Sequence, residues 1–551
     1  MHTQLSRRTA LRAIIAAGAA SLLAACGPAA SQQPAPTAAQ PKPAAGATVV
    51  GAAQAKPTAP AAAQIKRGGV LQWGQVGDIV TTDAFQWSPT ANNTTGAVNE
   101  TLIVYADDLT PLPRLAESWE QSSDLTKIKL NLRKGVTYHT GREFTSDDIE
   151  YNLLRARDFP KNPFASQVAP GSAWWTSWEK PDKNTIVLQS DKPRPGVFDF
   201  LQYLRILDKD TMEGPDAATK VVGTGAFMWK EWVPGDHISL VKNPNYWDRN
   251  KPYLDGIEIK VFRDAQAMVS ALEAGALDVA DLIPIPDAAR LKGDPKFKTF
   301  ETHDLGQYFY AIVNAGQAPT DNKLVRQAVN YAIDRQRFVD SVLKGFPGEV
   351  RTLPWAKTSP AFEPAKNKMY GFDLDKAKSL ITQSGVSNIE FDISWSTAGY
   401  QAEYQALASI IQSDLAKIGV KTNLKPTDPP TFTAQGNGNQ PPYNGMRLSA
   451  GAFAQLYEAT TMSTLSRTWG YASNLAGFYD DKFKDLVAAA STEPDAAKRK
   501  QLYSQYSDFL LDASYGMVIC PYSDIDLMKP NVEGLRYDLA TNVAVSELWF
   551  S

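Results

Sequence analysis

Cysteine is nearly absent. The 551 residues contain two, Cys26 and Cys520, so no framework of disulfides can hold the chain and its core must do so. Histidine is scarce as well. His2, His139, His237 and His303 form no cluster with metal-ligand spacing, and neither a metal nor a cofactor is expected. No sign of charge dominates, with 56 Lys and Arg against 59 Asp and Glu. No basic stripe is present, which argues against a nucleic-acid partner. Long apolar runs are also missing. The one near the start, Leu11 to Ala25, is broken by Arg12, Gly18 and Ser21 and falls short of the about 20 residues that a membrane span needs.

That short run belongs to a different kind of segment. Ser6-Arg7-Arg8-Thr9-Ala10-Leu11-Arg12 precedes it and Leu22-Leu23-Ala24-Ala25-Cys26-Gly27 ends it. A basic start, a short apolar middle and small residues at the end describe a cleaved export signal. The arginine pair resembles a Tat signal, with Ala10 where a large apolar residue is usual. Leu23-Ala24-Ala25-Cys26 resembles a bacterial lipobox, which implies cleavage after residue 25 and lipid on the Cys26 thiol. With Cys26 modified, Cys520 has no thiol partner. Residues 27–64 are almost wholly Ala, Pro, Gln, Thr and Gly. They cannot bury a core and read as a disordered, extended tether between lipid and body.

The body, 65–551, is long enough for two or three domains. Period-two alternation predicts strands at Val70–Gln75, Thr126–Leu132, Thr185–Gln189 and Ile257–Phe262, with a hairpin at Gly225–Val233 and His237–Asn243. Ser146–Arg157, Ala265–Ala274, Lys323–Tyr331, Arg335–Leu343, Asp375–Gln383, Glu403–Lys417, Asp480–Ala490 and Asp495–Leu511 read as helices, and Gly96–Val104 as a further one. Tyr308–Val313, Ile389–Trp395, Val420–Leu424 and Gly516–Cys520 read as strands between the later helices. The class is α/β.

Several blocks resemble the peptide/nickel-type solute-binding proteins of ABC importers, the family 5 extracytoplasmic binding proteins. They are Arg114-Leu115-Ala116-Glu117-Ser118-Trp119-Glu120, Leu130-Asn131-Leu132-Arg133-Lys134-Gly135-Val136, Gly141-Arg142-Glu143-Phe144-Thr145-Ser146-Asp147-Asp148 and Gly223-Thr224-Gly225-Ala226-Phe227. Asn243-Pro244-Asn245-Tyr246-Trp247, Pro252-Tyr253-Leu254-Asp255, Ala271-Leu272-Glu273-Ala274-Gly275-Ala276-Leu277-Asp278 and the run Val325 to Arg335 follow in order. Gly223 and Gly225 read as sources of backbone freedom at a turn. The resemblance implies a two-lobed periplasmic-binding-protein-like fold with a subdomain inserted in lobe I. Lobe I is then 65–95, 207–305 and 521–551, the insertion 96–206 and lobe II 306–520, with hinge crossings near His303–Gly306 and Cys520–Tyr522. It further implies a monomer that takes a small-molecule or oligopeptide ligand and works with a permease and an ATPase.

In peptide-binding members an Asp in a lobe II segment pairs with the peptide ammonium. The matching stretch here, Met446 to Gln455, has no Asp and no Trp, and Glu458 is displaced by several positions. The thirteen Trp and twenty-one Tyr suit a cleft that binds by apolar contact and stacking. The candidates for its lining are Trp87, Trp174, Trp175, Tyr310, Trp355, Trp395, Tyr400, Phe453 and Trp469. Ordinary core packing is the competing reading for each. Arg447 reads equally as a partner for an anionic ligand and as a solvated charge. Two other classes stay open: an exported hydrolase of glycosidase type, and a chaperone-like surface lipoprotein. No catalytic residue is assigned, since no Gly-x-Ser-x-Gly or His-Glu-x-x-His motif occurs.

Overall fold

A computed structural model describes residues 65–551, apart from 80, 87–88, 159–167, 303–305, 347–348, 398–399, 437–442, 452–457, 466–467, 471–474 and 539–541. The signal, Cys26 and the tether lie outside the described residues. Among the described residues no helix is long and apolar enough to cross a membrane.

Two larger sheets organise the chain. The first has seven strands, in the order Lys298–Glu301, Ile525–Met528, Val279–Ala280, Val70–Val76, Gly256–Phe262, His237–Lys242 and Phe227–Val233. Val70–Val76 runs parallel to both Gly256–Phe262 and Val279–Ala280, and the outer pairings are antiparallel. The second has five strands, in the order Lys421–Thr427, Glu390–Ser396, Gly445–Gly451, Tyr308–Val313 and Gly516–Pro521. A third layer is antiparallel throughout, with Ala116–Gln121, Lys127–Leu132, Thr185–Ser190 and Trp175–Asp182 in that order.

The apolar runs explain these placements. Tyr308–Val313 is buried at every residue, as a strand covered on both faces must be. Tyr308, Tyr310 and Ile312 enter one core with Trp355, Trp469 and Tyr506, while Phe309, Ala311 and Val313 enter another with Phe338, Phe391 and Leu407. Lys127–Leu132 alternates strictly instead. Ile128, Leu130 and Leu132 point into the core of the third layer.

Two expectations from sequence need correction. The helix expected at Gly96–Val104 lies earlier, at Pro89–Val98. The β-branched Ile103 and Val104 instead join a short strand, Ile103–Tyr105, paired with Pro111–Pro113. Gly223 and Gly225 do not serve left-handed backbone. They are glycine because the loop lies directly on the end of that helix: an added Cβ would stand 2.1 Å from the Val98 carbonyl oxygen at Gly223 and 2.5 Å from that of Ala97 at Gly225.

Candidate ligand-binding cleft

The chain passes between the two larger sheets twice, from Glu301 to Tyr308 and from Pro521 to Ile525. The two crossings are bonded to each other. Thr302 N–H donates to the Asp524 carbonyl at 3.0 Å, Asp524 N–H donates to Thr302 Oγ1 at 2.8 Å, and Tyr522 N–H donates to the Gln307 carbonyl at 3.1 Å.

Strand registers then fix what faces the crossings. Glu301 pairs with Ile525, and Ala280 with Leu527. The carboxyl ends of Val279–Ala280 and of its parallel neighbours therefore point to the crossings. Tyr308 pairs with both Gly451 and Pro521. The carboxyl end of Gly445–Gly451 points there too, with those of its parallel neighbours Glu390–Ser396 and Lys421–Thr427. Open α/β sheets bind ligands outside the carboxyl ends of their strands. Two such edges converging on one pair of crossings make a cleft.

Aromatic and acidic side chains crowd the crossings. Phe309, Tyr400 and Tyr522 have ring centroids 5.3–5.5 Å apart. The Tyr400 hydroxyl lies 3.5 Å from Asp524 Oδ1. Burial and the neighbouring Asp526 push the Asp524 carboxyl up to about 7. Behind it Asp281 and Asp526 share the Tyr537 hydroxyl, at 3.1 and 2.7 Å. Asn93 Nδ2 donates to Asp281 and Leu282 N–H to Asp526, both at 2.9 Å. Burial pushes both carboxyls up, that of Asp526 to about 6.

The sequence candidates scatter around this centre. Trp87 and Phe453 lie outside the described residues. Tyr400 stands at the crossings, half-buried. Trp395 is buried near the end of its strand, and its Nε1 has no hydrogen-bond partner. Tyr310 and Trp469 come together in the core that Tyr308 shares, their centroids 6.4 Å apart. Trp355 is in the same core, where its Nε1 donates to Ser507 Oγ at 2.8 Å. Trp174 and Trp175 both pack on Phe200 in the core of the third layer.

Glu458 is not a spare counter-charge. It is buried, its carboxylate lies 3.1 Å from Arg499 Nε, and it accepts from the Tyr503 hydroxyl. Arg447 is not solvated either, being 6 % exposed. Asp199 carries a contact that no local sequence pattern signals. Its carboxylate binds Glu458 N–H at 3.0 Å and Thr461 Oγ1 at 2.9 Å, joining the third layer to the segment that follows the five-stranded sheet. Among the described residues no group of His, Cys, Asp and Glu is arranged to hold a metal ion.

The family model for "Bacterial extracellular solute-binding proteins, family 5 Middle" matches residues 110–469. The chain belongs to that family. Family 5 proteins among its relatives include Heme-binding protein A of Haemophilus influenzae, 29% identical over 426 residues that cover 71% of this chain and 76% of that one. Glutathione-binding protein GsiB of Salmonella typhimurium is 27% identical over 408 residues, 72% and 78% of the two chains. Among solved structures, the binding protein AgaA with agropinic acid, from A. tumefacien R10, superposes with a TM-score of 0.75 at 24% identity, covering 88% of this chain and 99% of its own. DppA of Helicobacter pylori, with the peptide STSA, gives 0.74 at 23%, covering 88% and 98%. The fold is thus that of the two-lobed periplasmic binding proteins. As a family 5 protein the chain is the substrate-binding component of an ABC importer and acts outside the cytoplasm.

Proposed function

We propose that the protein captures a peptide or other small organic solute between two lobes and delivers it unaltered to a membrane permease. Lobe I carries the seven-stranded sheet and lobe II the five-stranded one, and 96–206 forms a subdomain inserted in lobe I. The crossings near His303–Gly306, of which 303–305 lie outside the described residues, and near Cys520–Tyr522 act as the hinge. Ligand contacts from both lobes favour the closed form. The signal and lipobox support export and a lipid anchor at Cys26, with 27–64 as the tether. The relatives, which are named as binding proteins, support binding without turnover.

One observation carries this reading. The carboxyl edges of two separate sheets converge on a pair of crossings joined by three hydrogen bonds, which supports a solute position that both halves can touch. Heme, glutathione, agropinic acid and a peptide are the solutes of the relatives above, and each of these molecules carries a carboxylate. The test is native mass spectrometry of the protein purified from its source. One small molecule bound per chain, recovered unchanged after denaturation, is the expected result. Recovery of a chemically altered product would instead favour an exported hydrolase.

A further inference from the structure

Among the described residues, Arg447 is a buried cation of the five-stranded half with neither an anion nor a full set of hydrogen bonds. Arg447 sits in Gly445–Gly451, opposite Ile312 on one neighbouring strand and Ser394 on the other. Its Nη1 donates to the Phe432 carbonyl at 2.8 Å, and its Cζ lies 3.3 Å from the Phe432 ring centroid. Its Nε has no hydrogen-bond partner, and among the described residues no carboxylate pairs with it.

Other buried arginines differ. Arg335 donates to the Val518, Asn330 and Tyr370 carbonyls and to Asn330 Oδ1. Arg326 donates to three carbonyls, and Arg499 faces Glu458. A guanidinium withdrawn from water with an unpaired N–H and no counter-charge is costly, and one carbonyl and one ring face do not replace its hydration. Burial already lowers the proton affinity of Arg447, and the neighbouring phenols of Tyr443, Tyr310 and Tyr404 raise it only through their charge. A phenol O–H is a donor and supplies no balancing anion.

The geometry therefore points to a missing oxyanion. We propose that Arg447 receives an acidic group of the captured solute, a carboxylate or a phosphate, so that this importer's cargo is an anion. A guanidinium fork suits either group, since both present two oxygens to its parallel N–H bonds. Arg447 lies in a strand whose carboxyl end faces the crossings, so the inference rests on the solute-capture reading above. It also accounts for the segment Met446 to Gln455 having no Asp: a site for an anion has no use for a negative partner.

The test compares thermal melting of ligand-free wild type, Arg447→Met and Arg447→Lys, alone and with citrate, glutathione or inorganic phosphate. Ligand-free Arg447→Met should melt at or above wild type, because it loses an unbalanced buried charge. At least one of the three anions should raise the wild-type melting temperature. Its dissociation constant should rise roughly tenfold or more in Arg447→Met, and less in Arg447→Lys. A response to citrate or glutathione alone assigns a carboxylate, and a response to phosphate alone a phosphate. The proposal is overturned if Arg447→Met melts well below wild type, if it responds to anions as wild type does, or if wild type ignores all three. In that last case, stabilisation of wild type by the amide of the peptide Ser-Thr-Ser-Ala would leave solute capture standing and remove only the anion. Binding of neither acids nor the amide would count against both.

Discussion

Asp199 holds the backbone of Glu458. One carboxylate oxygen accepts Glu458 N–H at 3.0 Å and Thr461 Oγ–H at 2.9 Å, while the other accepts the Tyr105 hydroxyl at 2.9 Å. Gly196, just before the helix that carries Asp199, lets the two segments meet; an added Cβ there would stand 3.2 Å from Glu458 Cγ. Hydrogen bonds to a charged acceptor contribute about 1.5–3 kcal/mol each. Asp199→Ala should therefore weaken the contact between the helix Val197–Tyr203 and the segment at Glu458–Thr461, and favour a more open form. Small-angle X-ray scattering should show a larger radius of gyration for Asp199→Ala, with Asp199→Asn between it and wild type. An unchanged profile for the alanine variant would mean that this contact does not restrain closure.

Glu458 gives that contact a pH dependence. Burial pushes its carboxyl up to about 8; Arg499 opposes the shift and Asp199 adds to it. A carboxyl with a raised native pKa stays protonated in the folded chain after the unfolded chain has lost its proton. Its stabilising share is complete below the ordinary carboxylate range and is lost as pH rises toward 8. Asp524, up to about 7, and Asp526, up to about 6, act in the same direction. The melting temperature of wild type should fall between pH 6 and 8. Glu458→Gln should reduce that fall by about 2 °C or more, as scanning calorimetry can measure. Parallel curves for the two proteins would remove Glu458 from the account.

How much was legible beforehand depended on where the ordering forces lie. Tyr308–Val313 and Lys127–Leu132 carry their own pattern, one apolar throughout and one alternating, so burial alone reveals them. The helix Pro89–Val98 was misplaced because Thr90, Asn92, Asn93, Thr94 and Thr95 are weak helix formers. Distant partners hold it: Asp281 accepts from Asn93, Arg205 donates to Thr95, and Gly225 N–H donates to the Val98 carbonyl. The Asp199 contact spans 259 and 262 positions, so no local spacing announces it. For the cleft, aromatic content suggested apolar contact and stacking but did not rank positions. Trp355 and Trp469 serve a core as readily as a binding wall, and only packing separates the two.

The lipobox-like stretch at Cys26 gives a prediction independent of the fold. If Cys26 carries lipid, Cys26→Ser should move the protein from the membrane fraction to the soluble extracytoplasmic fraction, because a protein without acyl chains has no anchor. Solute affinity should be unchanged, since the described cleft begins beyond residue 65. Quantitative blotting of fractions, together with calorimetry on the released protein, measures both. A serine variant that stays with membranes would shift the anchor to another segment.

The paired glycines at the end of the Pro89–Val98 helix allow a sharper test of why a residue is small. At Gly223 the obstacle is backbone, the Val98 carbonyl oxygen at 2.1 Å from an added Cβ, and backbone cannot swing aside as a flexible side chain can. Gly225 N–H also donates to that same carbonyl at 2.9 Å, so displacing the loop breaks a hydrogen bond as well. Gly223→Ala should cost about 2–4 kcal/mol through overpacking and the lost bond. Gly235 is the control. It has a φ of +76° with nothing within 4 Å of an added Cβ, so Gly235→Ala should cost only about 1–2 kcal/mol of backbone strain. Denaturant midpoints at constant slope measure the difference. Equal losses at the two positions would mean that the loop yields, and that close approach is not what keeps residue 223 a glycine.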